Sequence, residues 1–173
     1  ADLTGLGLAL CIIDCGADHA ALTNEYASIP EEMSKVAAHF GKKVLREVKE
    51  EDLLADLAQV RKEAGDRAVL RALHFYADDR RAAEEADALE RKDKEAFLNL
   101  VKESGRSSWE LLQNITPAAA ITHQDMAVAL AVAEKALNGK GACRVHGGGF
   151  AGTIQHLSRW KMCVNLRKRW KLC

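Results

Sequence analysis

Apolar positions along this chain recur at two spacings, which place short strands near its ends and helices between them. The continuous run at residues 8–13 reads as a buried strand, and residues 20–23 as its antiparallel neighbour across a turn at 14–18. Ser28 with Glu31 three residues later has the form of a capping box, Pro30 falls in the first turn, and Met33, Val36, Ala37 and Phe40 share one face until Gly41 ends the helix. A charged amphipathic helix follows over 50–63. After Gly65, Asp66 is placed to cap a long helix reaching residue 90, with Val69, Leu70, Leu73 and Tyr76 inward and the charge run at 78–85 solvated. Three more helices are predicted: 92–105, buried through Phe97, Leu100 and Val101; 108–115; and 125–137, the most apolar, capped by Thr122 and lying under the sheet. Strands at 140–146 and 152–157 flank a glycine-rich turn. This order predicts an α+β domain, a small antiparallel sheet with about five helices packed on one face.

Composition narrows the class without changing that picture. The 173 residues, 48% hydrophobic and 29% charged, suffice for one domain with a sizeable core. The longest apolar run is far short of the roughly 18–20 residues a membrane span needs, and no basic leader precedes it, so a cytoplasmic protein is expected. The five cysteines show no paired spacing, which predicts free thiols and neither a zinc ribbon nor a disulfide framework. The zero net charge conceals an asymmetry: from Thr153 onward there are six Lys or Arg and no acid, leaving nineteen basic against twenty-five acidic residues before it. We therefore divide the chain into a domain at 1–157 and a basic tail at 158–173. Trp160 and Trp170 in that tail could meet a nucleic acid or an anionic membrane, but no prepared groove accompanies them, and neither partner is expected.

The chemistry concentrates in the turn. Gly147, Gly148 and Gly149, followed by Phe150, Ala151 and Gly152, can take left-handed torsions and turn several N–H groups toward one point, suited to a phosphate or a neighbouring main chain. His146 just before them is expected to bond within the sheet. Of the other five histidines, His19, His39, His74 and His123 have no mutual ligand spacing, so no metal site is expected in this chain.

The glycine turn, led in by Ala142-Cys-Arg-Val-His146 and led out by Thr153-Ile-Gln155, resembles the third motif of the GHMP family of small-molecule kinases, nearest its galactokinase branch. The strand ending at Asp14, the pair Glu25-Tyr26, Leu45-Arg-Glu-Val48, and the segments at 66–74 and 96–104 are similar to that branch in the same order. The resemblance covers about residues 7–156 and implies the C-terminal domain fold of those kinases; the tail departs from their pattern. The family's N-terminal signatures, the G-R-x-N-x-I-G-E-H segment, the G-L-S-S-S-A-like phosphate loop and the catalytic Asp with its Arg, are not in this sequence.

The resemblance implies a sugar kinase that, when complete, uses ATP and Mg to phosphorylate the 1-hydroxyl of galactose. It implies a sugar contact for Tyr26 and, for residues 147–152, support of the nucleotide loop contributed by the missing N-terminal kinase domain. No catalytic residue is assigned to this chain, and no cofactor is expected to bind it tightly alone. A sheet edge left uncovered would favour a homodimer. Two other readings remain at this point: a regulatory or sugar-sensing paralogue acting as a binding module, and a non-functional fragment.

Overall fold

In the computed structural model, residues 3–16 and 22–163 are described. Strand β1 (Ala9–Asp14) is followed by six helices: α1 (Thr23–His39), α2 (Glu50–Ala55), α3 (Leu57–Ala64), α4 (Asp66–Glu90), α5 (Lys94–Ser107) and α6 (Asp125–Leu137). Strands β2 (Ala142–His146) and β3 (Thr153–Ser158) complete the order, and α5 passes directly into a π turn, Ser108–Leu112. The sheet is antiparallel with strand order β1-β3-β2, so the last strand lies in the middle. Its register pairs Cys11 with His156 and His156 with Cys143.

The expected small antiparallel sheet and helical majority are present, but the helices divide between its two faces. Side chains alternate along a strand. Ala142 and Leu157 therefore face one way, toward Phe97, Leu98 and Val101 of α5, while Val145 and Ile154 face the other, toward Met126, Leu130 and Ala133 of α6. A third cluster, built on Val36, Ala37, Leu53, Val60, Val69 and Ala72, joins α1 through α4 away from the sheet.

Several local expectations are corrected. The partner of β1 is β3; of the segment 20–23, residues 20 and 21 lie outside the described residues and Thr23 opens α1. Strand β1 is only half covered: Leu10 and Ile12 are 46% and 47% exposed on the same face. Ser28 caps nothing. It lies inside α1, where its hydroxyl donates to the Glu25 carbonyl at 2.7 Å. Pro30 also falls inside α1. The turns before it are held by tertiary bonds, since Glu25 accepts from the Ala118 N–H at 2.8 Å and Ser28 from Arg71 at 2.9 Å. These partners are distant in sequence, so no local spacing announces them.

The helix expected over 50–63 breaks into α2 and α3 at Asp56, a poor residue for a helix interior. Gly65, at φ +90°, precedes α4, and the Asp66 carboxylate takes Arg61 at 2.7 Å instead of capping. Thr122 does not cap α6, whose N-terminal flanking residue is Gln124. On α4 the inward face is mixed: Arg71 and His74 are buried while Leu73 and Tyr76 are half-buried. Part of its charge run is half-buried as well. Asp78 accepts from Ser104 at 2.6 Å and from Arg81 at 2.9 Å, and Arg144 of β2 donates to Ser104, tying α4, α5 and the sheet together. Among the described residues Cys11, Cys143 and Cys163 are free thiols. Burial pushes Cys11 and Cys143 up to about 12, which keeps both protonated.

His39, at the end of α1, has one ring nitrogen 2.7 Å from Glu63 and the other 2.9 Å from Asp56. Both hydrogen bonds favour the imidazolium, so its pKa is raised in the folded chain. That contribution to stability is full below the unfolded histidine range near 6.5 and is lost as pH rises through the folded value. The thermal midpoint should therefore fall across that interval in the wild type and stay flatter in His39→Asn. Parallel curves for the two proteins would show that the bridge carries none of the dependence.

Candidate functional site

The glycine turn and Tyr26 meet. Tyr26, in the first turn of α1, donates its hydroxyl to the Gly149 carbonyl at 2.8 Å across 123 residues of sequence, and its ring stands edge-on to Phe150 with centroids 5.5 Å apart. A Cβ added at Gly148 would lie 2.8 Å from the Tyr26 ring, so the loop backbone rests against the phenol at van der Waals range. Burial raises the Tyr26 pKa and keeps the hydroxyl a donor at neutral pH.

The other side of the loop is held by Asn114, which sequence reasoning passed over. The chain leaves the π turn through Gln113 at φ +56°, and Asn114 is buried beneath the glycines. Its carbonyl accepts from the Phe150 N–H at 2.5 Å, and its Nδ2 donates to the Gly148 carbonyl at 3.1 Å. A Cβ on Gly149, itself at φ +85°, would sit 2.0 Å from the Asn114 carbonyl oxygen. Phe150 also adopts φ +58°, a left-handed torsion that non-glycine residues rarely take. At the far end, Gly152 accepts from the Cys15 N–H at 2.8 Å, joining the loop to the end of β1.

These contacts change the expected chemistry of the turn. The N–H groups of Phe150 and Ala151 are spent on Asn114 and Gly149, and the carbonyls of Gly148, Gly149 and Gly152 are also bonded, so the inner half is clipped to its own domain. Gly147 and Gly148 are exposed on the outer side. Such a loop presents a shaped surface better than it wraps an anion. His146 is exposed, with Nδ1 3.5 Å from Gln155 Oε1.

Behind the site lies a buried cation. Arg71 of α4 is 1% exposed, and its guanidinium donates to the Leu112 carbonyl at 3.0 Å and to Ser28 and Glu32 of α1, each at 2.9 Å. Arg67 adds a second arginine on Glu32, at 2.6 Å. Burial would raise the Glu32 carboxyl, but the hydrogen bond from Arg67 and the charges of Arg71, Arg67 and Lys35 outweigh it and hold the group below its usual range. Burial lowers the Arg71 pKa, yet guanidinium chemistry keeps it charged.

The hollow beside the loop, lined by Leu22, Ile115, Pro117, Met126, Phe150 and Ala151, measures about 100 Å³. Small-molecule sites run to roughly 300–1,000 Å³, so this wall does not enclose one. A larger groove of about 490 Å³ runs between α5 and α6 over β2, beside Lys102, Arg106, Trp109 and Glu134, and contains none of the predicted site residues. Among the described residues no group of three His, Cys, Asp or Glu could hold a metal ion, and no helix is long and apolar enough to cross a membrane. Among the described residues none of the groups around the loop fits a Mg–nucleotide site by itself.

No family model matches the chain. It is 36% identical over 145 residues to the galactokinase of Homo sapiens, covering 84% of this chain and 34% of that protein. To the galactokinase of Actinobacillus pleuropneumoniae serotype 3 (strain JL03) it is 29% identical over 162 residues, 94% of this chain and 40% of the relative. Among solved structures, the galactokinase of Lactococcus lactis complexed with galactose matches with a TM-score of 0.69 at 19% identity, covering 94% of this chain and 40% of that one. The chain is thus a galactokinase-like domain with the fold of a galactokinase segment, and it spans about 40% or less of the length of these relatives.

Proposed function

We propose that this chain forms the C-terminal wall of a galactokinase-like sugar kinase, in which ATP with Mg phosphorylates the 1-hydroxyl of galactose once an N-terminal catalytic domain closes the other side. The observation that carries the reading is the Tyr26–Gly149 bond, which puts the candidate sugar contact and the candidate nucleotide-loop support in one continuous surface. In this reading Tyr26 meets the sugar while Gly147 and Gly148 present their exposed side to the partner domain. Phosphoryl transfer depends on positioning phosphates, metal and acceptor in line, and one wall cannot do that alone.

The purified chain should show no galactose-dependent ATP turnover, and activity should appear when it is joined to the N-terminal part of a galactokinase. Turnover by the chain alone, or none from the joined protein at millimolar galactose, would overturn the proposal.

Self-association belongs to the same reading. Among the described residues no strand pairs with the outer edge of β1, which exposes Leu10 and Ile12 and has no Lys or Pro to block pairing. Size-exclusion chromatography with light scattering should find a dimer that Ile12→Lys converts to monomer. A wild-type monomer at high micromolar concentration would refute it.

A further inference from the structure

We propose that Asn114, braced by Arg71, is the positioning residue of the glycine loop, holding it in the shape presented to the reaction cleft; this rests on the kinase reading and deepens it. Three consecutive residues of the loop are addressed from below. The Gly148 carbonyl takes the Asn114 side chain, the Gly149 carbonyl takes Tyr26, and the Phe150 N–H goes to the Asn114 carbonyl. Asn114 thus makes two of these three contacts and alone reaches both sides of Gly149.

Two features argue that this asparagine does more than fill space. It is 2% exposed, and its Oδ1 has no hydrogen-bond partner, a costly arrangement that an apolar residue of equal size would avoid. It also holds Phe150 in a left-handed torsion, and strain of this kind persists only where surrounding contacts over-determine it.

Arg71 explains why the two supports stay in step. Tyr26 stands on α1 and Asn114 follows the π turn, elements with separate paths through the fold. Arg71 bonds both, through Ser28 and Glu32 on one side and the Leu112 carbonyl on the other. A shift of either support relative to α4 must break a bond to a buried guanidinium, so the loop is held between elements fixed to one point.

The test is Asn114→Leu, which keeps the branched shape of the side chain at somewhat greater bulk and lacks the donor. Amide hydrogen exchange at 149–152 should quicken by about tenfold or more while Ile154 and Leu157 of β3 keep their protection. A residue that only fills space would leave the loop unchanged, or would loosen loop and strand together, and either result overturns the proposal. In the unmodified chain the side-chain amide protons of Asn114 should exchange slowly by NMR; exchange as fast as in an exposed asparagine overturns it without any variant. Joined to the catalytic domain, Asn114→Leu should lower kcat about tenfold with galactose KM within about twofold. A loosened loop with unchanged kcat sinks the positioning role. An inactive joined wild type sinks the kinase reading and with it the role in the reaction, while the exchange results still report on the clamp.

Discussion

Gly149→Ala is expected to destabilise the chain by about 3 kcal/mol, more than a methyl added at Gly147 or Gly148. Two costs coincide there. The new Cβ would fall 2.0 Å from the Asn114 carbonyl oxygen, a clash with main chain that cannot swing aside. Overpacking of this kind costs roughly 1–3 kcal/mol, and the torsion of φ +85° adds about 1–2 kcal/mol for a residue with a side chain. Gly147→Ala is the control. Its φ is +75°, but nothing lies within 4 Å of the added methyl, so only the torsional cost of about 1 kcal/mol applies. Urea unfolding followed by circular dichroism measures both variants. Equal losses would mean that close approach to Asn114 does not limit residue 149.

Arg71→Met should cost about 3–5 kcal/mol, because it removes one member of a buried ionic cluster and leaves its partners in place. The Leu112 carbonyl and the Ser28 hydroxyl lose their donor, and Glu32 keeps only Arg67. The thioether chain fills most of the vacated volume, so the loss reports unsatisfied polar groups more than a cavity. Removing the acid as well separates the terms. Arg71→Met with Glu32→Met should be less destabilised than the sum of the two single variants, since two apolar side chains have no charge left to strand. Additive losses in denaturant titrations would show that Arg71 and Glu32 do not act as a unit.

What could be read from the residues followed the range of the forces involved. The bounds of α4 and α6, Asp66–Glu90 and Asp125–Leu137, coincide with the predicted ones, because a sustained apolar period and a glycine break are local signals. Strands β2 and β3 were legible from the glycines between them. The first two turns of α1 were not, since a proline and a capping pattern pointed to a later start and only contacts from Ala118 and Arg71 support the earlier one. The same holds for Asp78, whose charged neighbours suggest solvent until Ser104 and Arg144 arrive from other elements. The resemblance singled out Tyr26 and the glycine turn, and the fold brings these together. Asn114 gave no signal, being one polar residue after a helix whose partners lie thirty-four and more positions on.

The strand order has a consequence for how the chain acquires its shape. Because β3 joins β1 to β2, neither outer strand has a neighbour until the polypeptide is complete through Ser158, and the Ala9–Ser158 pairing closes nearly the whole length at once. Because near contacts form more readily than distant ones, ordering is expected to begin among the helices, whose cluster of α1 to α4 needs no strand, with the β-ladder completed afterwards. During synthesis, β1 would therefore wait with Leu10 and Ile12 uncovered, in the interval when an unpaired strand is most exposed to capture by chaperones or by other nascent chains.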